Sequence, residues 1–541
     1  MGRLGAVALA ALMLAMGFAG CIGSDELSEA STEQDEPVPI WHEQALAFGP
    51  SHDHTDPTDH ANLSTPNFDV LGYDQLNSSY YGQPAGSYFC GDAKPVDDDR
   101  RLAVFESRSQ VGFTIADVTD PTDIENLGEL VMQTTRIYDL AVVPDGEHVV
   151  LVTSEAREDQ LDVVPGTDER RHEGIAWNSP CTDEPVNPVW SAGEQDETDD
   201  PVPRPMSLLV VDISDPEEPV IEEQQPLAGS GHSVYTRNID GTNWAMVTTT
   251  RVPVMGVPEL SENSFSAYQF YRIEDLADRG HAEHVATWKR LPDDDGAQLG
   301  PRGHDGRMKI HPKTDEKIAY LAGGDRFTTL DMSNPENPEE LGRWEVEGSA
   351  TPAEEGTLHS AYPLEELWNG THYTVIGPEH AGHPEGAPTG VIWVMDTTDP
   401  TEPEPVGAWT LPAQVNWNGT FQFSNHYLTV VDETLFVSMY HGGVWAVDLS
   451  PLADGPPEED GVLALDSEGV FLPDRDGPAE PAEPGRWAPT FEEVLGQPDG
   501  TLVGSAGDQG LVTFAYDDEA PMPAPEPWDL SEAIEPDVIE R

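Results

Sequence analysis

One phrase recurs along most of this 541-residue chain, and it constrains the fold more than any other feature. It reads VGFTIADVTDPTDIENLGEL from Val111, LLVVDISDPEEPVIEEQ from Leu208, FTTLDMSNPENPEELGRW from Phe327 and VIWVMDTTDPTEPEPVGAW from Val391, with a weaker copy, GGVWAVDLSPLADGP, from Gly442. The apolar run predicts a strand. Asp, Ser and Asn side chains can hydrogen-bond the turning backbone, and Pro fixes φ and stops ladder pairing, so each phrase is a strand-turn-strand hairpin. A second hairpin precedes most copies, as in LAVVPDGEHVVLVT from Leu140, MKIHPKTDEKIAYLAG from Met308 and YLTVVDETLFVSMY from Tyr427. Two hairpins make a four-stranded antiparallel unit.

Such units fall at about residues 86–133, 136–227, 230–290, 303–346, 357–412, 423–473 and 488–524, the third and seventh being degenerate. Tandem four-stranded units of this length predict an all-β fold, a β-propeller of seven four-stranded blades. An up-and-down barrel would lack the long period, and a parallel β-helix would show a much shorter one. The expected organisation is a leader at 1–21, an acidic tether with a His/Asp-rich pre-propeller segment at 22–85, the propeller at 86–524 and an acidic tail at 525–541.

The LLVVDISDPEEP phrase and its copies resemble the LVIVD-repeat proteins, predicted propellers of bacterial and archaeal cell surfaces. That resemblance implies fold and location but no defined activity. SMYHGGVWAVDLSP from Ser438 is similar, more distantly, to selenium-binding proteins of the methanethiol oxidase type, whose propellers hold a metal through histidines.

The first residues fit the location. Met1-Gly2-Arg3 and an apolar run to Ala19 end at Gly20-Cys21, the pattern of a signal peptide whose Cys21 would carry a lipid anchor. The run is too short for an ordinary membrane span. The expected placement is therefore extracytoplasmic, facing outward, with the membrane as a partner through the lipid. A formal charge of −75, from 101 acidic against 26 basic residues spread over nearly every loop, suits a protein kept hydrated in high salt. It also excludes nucleic acid as a partner, because no basic patch exists to neutralise phosphate. Cys90 and Cys181 form an even pair suited to a disulfide in an oxidising compartment. Asn62, Asn77, Asn369 and Asn418 lie in glycosylation triplets.

Chemistry is expected where histidines converge. GHSVYT, GHDGRMKI, LHSAYPL and NHYLTVV place His232, His304, His359 and His426 at the same point of four consecutive blades, facing one another across the channel mouth if the first strand of each blade is innermost. His441, between the second and third strands of its blade, joins this set, and His380, His383 and Asp325 fall nearby. Converging imidazoles suit Zn, Cu, Ni or Fe; the competing reading is a strand cap copied by duplication. The long insertions 155–206 and 252–264 fall on the same face. A second metal-binding tract is His52, His54 and His60 in SHDHTDPTDHANLS, which reads equally well as a solvated tether.

The sequence lacks a nucleophile elbow, phosphate loop, dinucleotide fingerprint and His-Glu-x-x-His motif. Two main functions stay open: a surface module binding a protein, glycan or small ligand at the channel mouth, and a metal-dependent oxidase or hydrolase using the histidines. A purely structural role in the envelope would need neither the histidines nor the insertions.

Overall fold

The computed structural model describes residues 65–76, 88–96, 100–107, 112–131, 136–154, 207–227, 230–252, 265–277, 279–289, 303–324, 326–345, 357–379, 391–411, 424–440, 442–457, 461–471, 491–506 and 510–518. They build seven antiparallel sheets arranged as a seven-bladed β-propeller. Strand β1 (Phe68–Asp74) is set aside for the last blade. Blade 1 is β2 (Tyr88–Pro95), β3 (Arg101–Ser107), β4 (Gly112–Asp117) and β5 (Glu125–Val131). Blade 2 is β6 (Arg136–Val142), β7 (His148–Ser154), β8 (Ser207–Asp212) and β9 (Val220–Pro226), and blade 3 is β10 (Ser230–Ile239), β11 (Thr242–Val252), β12 (Phe265–Glu274) and β13 (His281–Trp288). Blade 4 is β14 (Asp305–Ile310), β15 (Lys317–Gly323), β16 (Arg326–Asp331) and β17 (Glu339–Glu345). Blade 5 is β18 (Thr357–Pro363), β19 (Tyr373–Glu379), β20 (Val391–Asp396) and β21 (Glu404–Thr410). Blade 6 has β22 (Leu428–Val431), β23 (Thr434–Ser438), β24 (Val444–Asp448) and β26 (Ser467–Phe471); the short β25 (Leu463–Ala464) pairs in parallel with β21 of blade 5. Blade 7 has β27 (Val494–Gly496), β28 (Leu502–Ser505), β29 (Leu511–Tyr516) and, paired to β29, β1.

The propeller therefore starts before residue 86. Residues 68–74, inside the stretch expected to precede the propeller, supply the outermost strand of the seventh blade, with Phe68 opposite Tyr516 and Asp74 opposite Leu511. This also explains why the seventh unit is degenerate in sequence. Its third and fourth strands come from distant parts of the chain, so no Asp-Pro turn joins them.

Middle strands are buried on both faces because blades stack face to face. Five of the six residues of Ser207–Asp212 are buried, which accounts for a continuous Leu-Leu-Val-Val run in place of alternation. The core is seven clusters, each spanning one interface between neighbouring blades. Leu102, Val104 and Ile115 of blade 1 meet Leu140, Val149 and Leu209 of blade 2; Ala103, Phe105 and Val118 of blade 1 meet Val503 and Leu511 of blade 7, closing the circle.

The Asp-Pro phrase does more than turn the chain. Asp117, Asp212, Asp331, Asp396 and Asp448 each accept the backbone N–H two residues on, at 2.7–2.8 Å. The proline that follows then lies against a glycine in the outermost strand of the preceding blade: Pro121 against Gly72, Pro216 against Gly128 and Pro400 against Gly342. A Cβ at Gly342 would stand 2.6 Å from the Pro400 carbonyl oxygen and 2.5 Å from that of Thr401. The Leu-Gly pairs ending at Gly72, Gly128 and Gly342 are thus seats for a neighbour's proline, whereas Gly407 in blade 5 lies against Leu452 and Leu465.

Candidate functional site at the channel mouth

The first strand of each blade lies innermost, next to the first strands of its neighbours. In several blades that strand carries a bulge near its start. Pairing skips from Gly231 to Ser233 in β10, from Leu358 to Ser360 in β18 and from Ile137 to Asp139 in β6, leaving His232, His359 and Tyr138 as the extra residues. In β2 the skip runs from Tyr88 to Gly91 and takes in Cys90. A bulge re-aims a side chain that regular pleating would send between the blades. His304 and His426 reach the same level from just before β14 and β22, with His304 N–H donating to Ala322 O and His426 N–H to Ser438 O.

The four histidine rings lie side by side. Ring centroids are 4.1 Å apart for His232 and His304, 3.9 Å for His304 and His359, and 4.3 Å for His359 and His426. Nε2 of His232 lies 2.7 Å from Nε2 of His304. Of the other members at this level, sequence reading missed Tyr138 and Glu492 and gave Cys90 only a disulfide. Tyr138 packs 4.7 Å from His232, and at the far end His426 Nε2 lies 4.0 Å from Glu492. Cys90, His426 and Glu492 bring one ligand atom each within 4.8 Å of one another. Each blade therefore contributes one residue at one position: Cys90, Tyr138, His232, His304, His359, His426 and Glu492. Aligning YFCGDAK, RIYDLAV and FEEVLG under GHSVYT would have found the three that are not histidine.

Glu379, at the end of β19, caps the histidines. Its Oε2 is 3.8 Å from His304 Nε2 and 3.7 Å from His359 Nε2, and its Oε1 accepts a 2.6 Å hydrogen bond from Tyr440. His304, His359 and Glu379 form a second group whose ligand atoms lie within 4.8 Å. Burial, then the neighbouring His426 and His232, hold His359 well below the ordinary histidine pKa against a hydrogen bond to the His426 backbone, so it is neutral with one ring nitrogen's lone pair available.

One residue further along the inner strands of blades 2 to 7, a second level carries Asp139, Ser233, Asp305, Ser360, Tyr427 and Glu493, all buried. Asp139 accepts N–H donors from Val234 and Leu140 at 2.8 Å. Burial nevertheless pushes its pKa well above the carboxylate range, and it does the same to Glu493; Asp305 is pushed up to about 6. Deeper still, Arg307 stacks over Tyr362 at 4.2 Å and Tyr235 at 5.3 Å, and Arg237 grips Glu365 at 2.7 Å.

The remaining sequence expectations divide plainly. His441, His380, His383, Asp325, His52, His54, His60, Cys21, Cys181, Asn62, Asn77 and Asn418 lie outside the described residues, although Tyr440 and Glu379, next to His441 and His380, stand at the mouth. The Cys90–Cys181 disulfide is not shown, and Cys90 is buried in the inner strand of blade 1. Asn369 is exposed on a turn with φ 47°, where its amide donates to Asp454 O at 2.5 Å.

The repeat that builds this ring can be compared with known families, and the match falls on the second of its Asp-Pro phrases. Residues 205–224 match the LVIVD repeat. The matched segment contains β8, the Asp212 turn that packs on blade 1 and the first five residues of β9, so the LVIVD repeat here is the outer hairpin of a blade. No curated protein matches. Among solved structures, one from Bacteroides uniformis provisionally assigned as a 6-phosphogluconolactonase is similar at 10% identity, covering 81% of this chain and 93% of its own with a TM-score of 0.44. The structure of U3-55K is similar at 8% identity, covering 83% and 98% with a TM-score of 0.43.

Proposed function

We propose that this chain is an extracytoplasmic, lipid-anchored propeller that captures a small ligand through a transition metal ion held at the channel mouth. One observation carries the reading: three histidines from consecutive blades and the Glu379 carboxylate converge there, with His359 buried and neutral. His304, His359 and Glu379, with His232 beside them, form a nitrogen-and-oxygen donor set that suits Zn, Cu, Ni or Fe. Such an ion would polarise an oxygen or nitrogen donor of a bound ligand, which supports both capture and, as a second reading, oxidase or hydrolase chemistry. The anchor rests on the leader and Cys21 alone. Metal analysis of protein purified without a histidine tag tests the site. A stoichiometric transition metal, lost in the His304→Ala/His359→Ala variant while the β-sheet circular dichroism is kept, is the expected result. Metal-free wild-type protein, after growth with all four metals supplied, overturns it.

A further inference from the structure

Two other groups of ligand atoms come together among the described residues, and they differ in kind. His148, Asp212 and Glu222 lie on the turn face, but His148 Nδ1 is taken by Asp145 at 2.8 Å and Glu222 accepts the Gly280 N–H, so their geometry is that of a cap between blades 2 and 3. Cys90, His426 and Glu492 are arranged otherwise. All three are buried, and they come from the inner edges of blades 1, 6 and 7.

The hydrogen bonding around His426 sets its tautomer. Its Nδ1 lies 3.0 Å from the Glu492 backbone carbonyl, which can only accept, so Nδ1 carries the proton and Nε2 presents a lone pair. That Nε2 is the atom 4.0 Å from the Glu492 carboxylate. The Cys90 thiol completes the triad from its bulge in β2. A thiolate, a fixed imidazole nitrogen and a carboxylate within 4.8 Å of one another are a donor set of the kind that holds a transition metal ion.

We infer that Cys90, His426 and Glu492 form a second metal site, thiolate-bearing and separate from the His304–His359–Glu379 set, so that the mouth is a two-metal centre with chemically unlike poles. The poles adjoin through the packed rings of His359 and His426, 4.3 Å apart, and through Tyr440, which donates to Glu379 and lies edge-on to His426 at 5.4 Å. The imidazole and carboxylate pole suits a borderline ion. The thiolate pole selects a softer one, Zn or Cu(I), and binding there releases the thiol proton. The inference goes beyond the proposed function, because either pole can fill without the other.

Cobalt(II) titrated into the chelator-treated full chain reads the two poles separately. Two ions per chain are expected, one giving a near-ultraviolet thiolate-to-cobalt band. Cys90→Ser should lose that band and one ion, and His426→Ala should do the same, while each keeps the other ion. His304→Ala/His359→Ala should show the converse, one ion with the band intact. A single ion that is indifferent to Cys90→Ser overturns the second pole and leaves the proposed function standing. Cys90 found oxidised to Cys181 by mass mapping overturns it in the same way. No cobalt at all removes both.

Discussion

Aspartates on the two faces of this propeller do opposite things with the same carboxyl group. On the turn face, Asp120 and Asp399 accept from the side chains and N–H groups of Thr122 and Thr401, and those bonds to the charged form hold their pKa values below the ordinary range. In the channel, Asp139 also accepts two N–H donors, yet burial outweighs them and raises its pKa well above the ordinary value. The difference is desolvation, which grows with depth while the hydrogen bonds do not. In one the charge makes the fold; in the other the fold suppresses the charge.

The sharpest way to break the comparison is to damage the turn face by packing alone. Gly128→Ala places a Cβ on the Pro216 carbonyl, a backbone contact that cannot rotate away, and should cost about 3 kcal/mol in urea unfolding. Metal content per folded chain should be unchanged.

The next test is pH. A carboxyl whose folded pKa is raised adds stability below its unfolded value, near 3.9, and loses it as pH climbs through the folded value. Asp139→Asn should therefore match wild type near pH 4 and exceed it at pH 8. The turn acids run the other way. Their contribution is present above the unfolded value and is lost as pH falls through the folded one, so Asp399→Ala should fall short of wild type at pH 7 and converge on it near pH 2. Unfolding midpoints at those pH values check both signs.

Smallest is the loss of a single turn bond. Asp331→Ala removes the 2.7 Å bond to the Ser333 N–H and should cost about 1 kcal/mol, read by thermal unfolding, with no change in metal content per folded chain.

Much of this arrangement is legible in the sequence because propeller physics is local and repeated. The Asp-Pro phrases locate blades 1, 2, 4 and 5, and GH and LH before a strand announce His232 and His359. Three things are hidden for definite reasons. Strand β1 has no turn beside it, and its partner β29 is 441 residues away where Gly72 meets Thr513. Cys90, Tyr138 and Glu492 share a position with the histidines but not a residue type, so a search for histidine passes over them. The buried acidic level beneath, Asp139, Asp305 and Glu493, whose pKa values burial raises, cannot be told from 98 other acids by composition, since only depth distinguishes it.

The pairing of β1 with β29 also dictates an order of events. When a ribosome has released residues 68–74, the strand they must join is still unmade, and six blades are completed before it exists. Through that interval β1 is an unmatched edge, open to wrong partners, and the first and last blades have nothing to lean on. Closure is a contact between remote parts of the chain, so it is slow and comes last. A fault in β1 would thus act as a failure to shut the circle, felt at once by blades 7 and 1 and by the Cys90–Glu492 sector of the mouth between them.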